Sequence, residues 1–237
     1  EAGGLEYLFG VGYWAGQTWR FKGFWAHDRQ QERQAFEDFM DFVTARRAQY
    51  PNAHIYHYSP YETAALKRLS SQYPDRTKKL DDLFREEKFV DLYPIVKQTV
   101  RVSEPRYSIK NLERFYRGAR NTDVKDGGAS VVWFEQYLAT GDEKLKKAIA
   151  DYNQDDCEST SDLRDWLIRL KSEFTETHSF DWDSYIQPEA LKKKKKGNTK
   201  KDEDDETKAE KEDGRVRDYQ LKFLIDRIQI KPKEKRS

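Results

Sequence analysis

The sequence predicts an α/β fold, a mixed sheet flanked by helices, with a charged linker and a short apolar segment at its C-terminal end. Three observations lead there. Two aromatic-rich runs separated by Ala15-Gly16-Gln17 read as an antiparallel hairpin. Short strand-like runs then alternate with segments of helical periodicity, which is the pattern of an α/β sheet. The tract 192–214 opens on five consecutive lysines, turns acidic from Asp202 to Glu206, and holds almost no apolar residue. Such a tract cannot bury enough surface to offset its ordering entropy, so it reads as a disordered linker. The expected division is therefore a domain over 1–190, a linker over 191–214 and a short apolar segment over 215–237.

The elements follow in order. Residues 5–14 and 18–26 are the hairpin strands. Asp28 stands at an N-cap position before a helix whose apolar stripe is Phe36, Phe39, Met40 and Val43, stopped by Pro51-Asn52. His54-Ile55-Tyr56-His57-Tyr58 reads as a strand buried on both faces, with His54 and His57 as core side chains rather than ligands. A helix over 60–69, a strand over 89–93, and helices over 108–116, 129–138 and about 143–170 complete the domain. The run from Tyr219 to Ile230 fits a strand or an amphipathic helix, and its periodicity does not decide.

Composition narrows the function. A single cysteine, Cys157, excludes a disulfide framework or a cysteine-rich zinc site and points to a reducing, cytoplasmic setting. No run approaches the ~18 apolar residues of a membrane span. With a net charge of +1, a nucleic-acid partner has to be met by a local patch rather than by overall charge.

The long helix carries the most chemistry. Its stripe runs Leu145, Ile149, Tyr152, then Leu163, Leu167 and Leu170; stepping by four from Tyr152 lands on Asp156 and then Thr160. A carboxylate thus falls on the inward face of an apolar helix, where it is paired, protonated or bound to a cation, or simply a satisfied buried aspartate. Tyr152 lies one turn earlier, about 6 Å along the axis. Ser59-Pro60-Tyr61-Glu62 reads as a capping box, with Glu62 reaching back to the N-cap residue. Asp91 reads as a cap of the next turn or a support to the site, and Lys110 as a solvated or phosphate-facing cation.

Tyr152-Asn153-Gln154-Asp155-Asp156 resembles the Tyr-x-x-x-Asp third motif of DEDD-type 3′→5′ exonucleases. The block from His54 to Leu69 stands where the second motif belongs, and Phe89–Tyr93 and Tyr107–Leu112 follow in the same order. Over about residues 5–170 the chain resembles the ribonuclease H-like domain of bacterial RecB-like nucleases often fused to superfamily 1 helicases. The resemblance implies a ribonuclease H-like mixed sheet and a metal-dependent nuclease working on DNA ends rather than RNA by a two-metal mechanism. It implies Mg²⁺ or Mn²⁺ held by Glu62 and Asp156, an attacking water aligned by Tyr152, a nucleic-acid partner, and a helicase in the same polypeptide; the alternative is a decayed nucleic-acid-binding or scaffolding domain. Glu62 departs from the aspartate usual in the second motif. The first motif, Asp-x-Glu on the opening strand, has no match, so the N-terminal strand is expected to lie upstream of Glu1 and to take two of four carboxylates with it. Asp226, after the apolar run 221–225, is a remote stand-in on a replacement strand.

Overall fold

The computed structural model describes residues 4–118, 127–179 and 220–225. The linker expected over 192–214, and Asp226, lie outside the described residues. The sheet has five strands: β1 (Leu8–Ala15), β2 (Thr18–Trp25), β3 (Ile55–His57), β4 (Phe89–Asp91) and β5 (Gln220–Ile225), in the order β2-β1-β5-β3-β4. β1 is antiparallel to β2 and parallel to β5, β5 is antiparallel to β3, and β3 is parallel to β4. The expected α/β mixed sheet is therefore present. Its centre is filled by the apolar run near the C-terminus, which resolves as a strand.

Seven helices flank the sheet among the described residues: α1 (Arg29–Gln49), α2 (Tyr61–Gln72), α3 (Thr77–Arg85), α4 (Leu92–Thr99), the single turn α5 (Ile109–Leu112), α6 (Gly127–Thr140) and α7 (Glu143–His178). Asp28 caps α1 as expected, its Oδ1 accepting from the Gln31 amide at 2.8 Å. Strand alternation divides the core between two faces. Phe9, Val11, Leu221, Phe223 and Ile225 pack with Phe36, Phe39 and Met40 of α1 and Leu66 and Leu69 of α2. On the other face Leu224 and Tyr56 pack with Leu163 of α7, and Leu8 packs with Ile149 of α7 and Phe134 of α6.

Two glycines set the depth of α7. A Cβ on Gly10 would stand 1.6 Å from Asn153 Oδ1, and one on Gly12 would stand 3.3 Å from Cys157 Cβ. Bare backbone at these positions lets the middle of α7 lie against β1 and β5. There the amide of Asn153 donates to Gln220 Oε1 at 2.9 Å and to the Leu221 carbonyl at 3.3 Å. One turn further along α7 stands Asp156.

Candidate active site

The first wall of the site is the turn between β3 and α2. Ser59 adopts φ 89°, a left-handed conformation uncommon for a side-chain-bearing residue. Its amide donates to Asp91 Oδ1 at 2.9 Å, and the same oxygen accepts from the Tyr93 amide at 3.0 Å, capping α4. Asp91 thus ties the ends of two parallel strands together. The consequence falls on Glu62. A capping box needs Glu62 to reach the Ser59 amide, but Asp91 holds that amide, and Pro60, the residue before α2, makes no side-chain cap. The capping reading of Glu62 does not hold. Its carboxyl is instead buried at the second position of α2 and faces a pocket.

His57 supports the same corner. Burial pushes its imidazole below the ordinary value, against the opposing pull of Asp91. The Nδ1–H donates to the Ser59 carbonyl at 2.7 Å and lies 3.8 Å from Glu62 Oε2. His54 precedes β3 and is half-buried against Tyr56.

The second wall is α7 with β5. Asp156 is 6% exposed, on the inward face where the heptad-like stepping puts it. Its Oδ2 lies 3.0 Å from Nζ of Lys222, the third residue of β5. Tyr152, 3% exposed, sits one turn before it, with two ammonium groups against its ring: Lys110 and Lys222 each stand 5.1 Å from the ring centroid.

The walls meet in a pocket of about 250 Å³ lined by, among others, Tyr58, Tyr61, Glu62, Asp156, Gln220 and Lys222. Glu62 and Asp156, 94 residues apart in sequence, are thus brought to one cavity, while Tyr152 backs it without lining it. Two participants escaped the sequence reading. Lys222 did, because nothing local in Gln-Leu-Lys-Phe-Leu-Ile tells which helix its strand packs under. Glu6 did too: it is 1% exposed and accepts from the Tyr61 hydroxyl at 3.0 Å and from Arg68 at 2.6 Å, orienting a tyrosine of the pocket wall. A lone charge inside the apolar run Leu5-Glu6-Tyr7-Leu8 is the signal for it.

Thiol chemistry is excluded at this site. Burial, with the neighbouring Asp156, pushes the Cys157 thiol far above its ordinary value, and an un-ionised buried thiol is not a nucleophile. What remains is oxygen and nitrogen chemistry around an anionic or cation-bound ligand. A family model of the RNase H superfamily matches residues 1–168. The chain belongs to that superfamily. No curated protein and no solved structure matches it.

As an RNase H superfamily domain, the chain is nuclease-like in kind, and nucleases of this type generally use divalent metal ions. The pocket's donors can be compared with that need. Mg²⁺ takes oxygen ligands and is often held by one or two carboxylates, with waters and substrate phosphate completing its shell. Glu62 and Asp156 match a single ion of that kind in number and chemistry. They fall short of a two-ion centre, because no cluster of three or more His, Cys, Asp or Glu side chains exists among the described residues. No helix among those residues is long and apolar enough to cross a membrane.

Proposed function

We propose that this RNase H superfamily domain is a metal-dependent nuclease that hydrolyses phosphodiester bonds, working 3′→5′ on DNA ends in the manner of the DEDD exonucleases. The observation that carries the reading is the convergence of Glu62 and Asp156, from α2 and α7, on one pocket backed by Tyr152. Mg²⁺ or Mn²⁺, when bound there, would supply a nucleophile at neutral pH and stabilise charge on the phosphate. The chain's own residues do the remaining work. Glu62 and Asp156 are the ligands. Tyr152, one turn before Asp156 and behind the pocket wall, takes by likeness to the DEDD exonucleases the role of aligning the attacking water. Tyr58 and Tyr61 offer aromatic faces at the pocket wall on which a frayed terminal base can stack. Lys110, half-buried against Tyr152, would meet a backbone phosphate in this reading.

A second reading has an observation of its own. The Lys222 ammonium already faces Asp156, as expected of a domain that binds nucleic acid, positions a helicase partner and no longer cuts.

End-labelled DNA and RNA, single- and double-stranded, incubated with the full chain in Mg²⁺, Mn²⁺ or chelator, separate the two. The nuclease reading expects slow, metal-dependent shortening of DNA from its 3′ end. Binding of the same oligonucleotides without cleavage in either metal would replace it with the second reading.

A further inference from the structure

β5 supplies the inference. Its Leu221, Phe223 and Ile225 are buried in the core beneath α1 and α2, so the alternate positions Gln220 and Lys222 point to the α7 side. Lys222 is in register with Gly10 of β1, whose bare backbone is covered by Asn153 of α7. A lysine in the central strand of a sheet, between Leu221 and Phe223, bears a heavy desolvation cost unless an anion meets it. Asp156 is that anion, at 3.0 Å, and the two side chains are 15% and 9% exposed. Both line the pocket that Glu62 also faces. Two carboxylates and one ammonium leave this pocket a net charge of one negative unit.

A divalent ion bound to Asp156 needs the carboxylate oxygens that the ammonium now faces. It would also stand within a few ångströms of a like charge in a partly dry site, where repulsion is poorly screened. The two cations therefore exclude each other. We propose that Lys222 is a tethered cation holding the ion position at Asp156 in the metal-free protein, and that a divalent ion enters by displacing it. The four-carbon stem lets the head group swing away while the strand stays paired. This inference rests on the reading of Asp156 as an ion ligand, and makes β5 a determinant of metal affinity as well as a structural strand.

Mn²⁺ binding to the full chain without nucleic acid, followed by the electron paramagnetic resonance of free Mn²⁺, is the test. Lys222→Met keeps the apolar stem and removes the charge; it is expected to tighten Mn²⁺ at least tenfold, whereas Lys222→Arg leaves the wild-type affinity. In an Asp156→Asn background, Lys222→Met is expected to gain nothing. A wild-type measurement stands beside these in case Lys222→Met folds poorly: acetylation of Lys222, read by mass spectrometry, should accelerate on saturation with Mn²⁺. Equal or weaker Mn²⁺ binding by a folded Lys222→Met, or an acetylation rate that Mn²⁺ leaves unchanged, overturns the proposal. Failure of every variant to bind Mn²⁺ overturns the ligand reading and this inference together. The expected affinity shift in a protein that cuts no nucleic acid supports the inference and removes only the nuclease reading.

Discussion

Two pairs of buried carboxylates stand in the same molecule, joined through Tyr61, and they are treated differently. Glu6 and Glu32 are enclosed by donors. Glu6 accepts from Tyr61 and Arg68, while Glu32 accepts from the Glu6 amide at 2.7 Å, from Arg29 at 2.9 Å and from the Tyr73 hydroxyl at 2.8 Å. Neither lines the pocket. Glu62 and Asp156 instead open on the cavity, beside the His57 ring and the long-stemmed Lys222 ammonium. Burial alone does not mark a carboxylate as functional. The distinction is whether the carboxylate lies closed off inside the protein or borders a space that a ligand can enter.

The contrast breaks most sharply on Asp156→Asn. If the pocket pair is catalytic, metal-dependent cleavage falls at least about a thousandfold, a loss of about 4 kcal/mol in transition-state stabilisation. The same change leaves the Lys222 charge facing a neutral amide, so chemical denaturation is expected to show a loss of about 1–3 kcal/mol. Undiminished cleavage would make Asp156 a structural partner of Lys222 and nothing more.

Glu62→Gln comes next. Because Glu62 makes no capping box, glutamine costs the α2 terminus little, and the melting temperature should stay near native. The lost ligand charge should lower activity about a hundredfold, or about 3 kcal/mol. A variant that melts and cuts normally would transfer the ligand role elsewhere.

The enclosed pair should answer in the opposite sense. Glu32→Leu strands two buried donors, the Glu6 amide and the Tyr73 hydroxyl, and frees the half-exposed Arg29 guanidinium; it is expected to cost about 2–4 kcal/mol of stability while leaving Mn²⁺ affinity unchanged. Loss of metal binding in that variant, with the fold intact, would dissolve the contrast.

The smallest effect concerns pH. Burial raises the Glu6 carboxyl above its ordinary 4.5, with Glu32 adding to the rise and Tyr61 and Arg68 opposing it. The folded state therefore holds this proton more tightly than the unfolded chain. Its contribution is fully present below pH 4.5 and is lost as pH rises through the higher folded value. Denaturation series from pH 4.5 upward should show Glu6→Gln losing less stability across that window than wild type. An identical slope in the two proteins would show that Glu6 does not titrate differently on folding.

Much of this was legible in the sequence where local physics decides. The hairpin, the Asp28 cap and the inward step from Tyr152 to Asp156 all follow from spacing, and the structure has them. Misreadings arose where a distant partner outbid a local one. Ser59 and Glu62 have the right types and spacing for a capping box, yet Asp91, on a neighbouring strand, takes the Ser59 amide. Phe89–Tyr93 looked like one strand, but β4 stops at Asp91 because that residue caps α4, whose third residue, Pro94, sits in the tolerant first turn. Lys222 was invisible because β5 pairs with β1 from more than 200 residues away, and no local pattern carries that register.

The most direct test of the central claim is where a metal binds. An anomalous-difference map from crystals of the full chain soaked in Mn²⁺ is predicted to show a peak in the pocket, about 2.0–2.3 Å from carboxylate oxygens of Asp156 and Glu62. A peak at Glu6 and Glu32, or none between Asp156 and Glu62 at saturating Mn²⁺, would contradict the assignment of these two carboxylates.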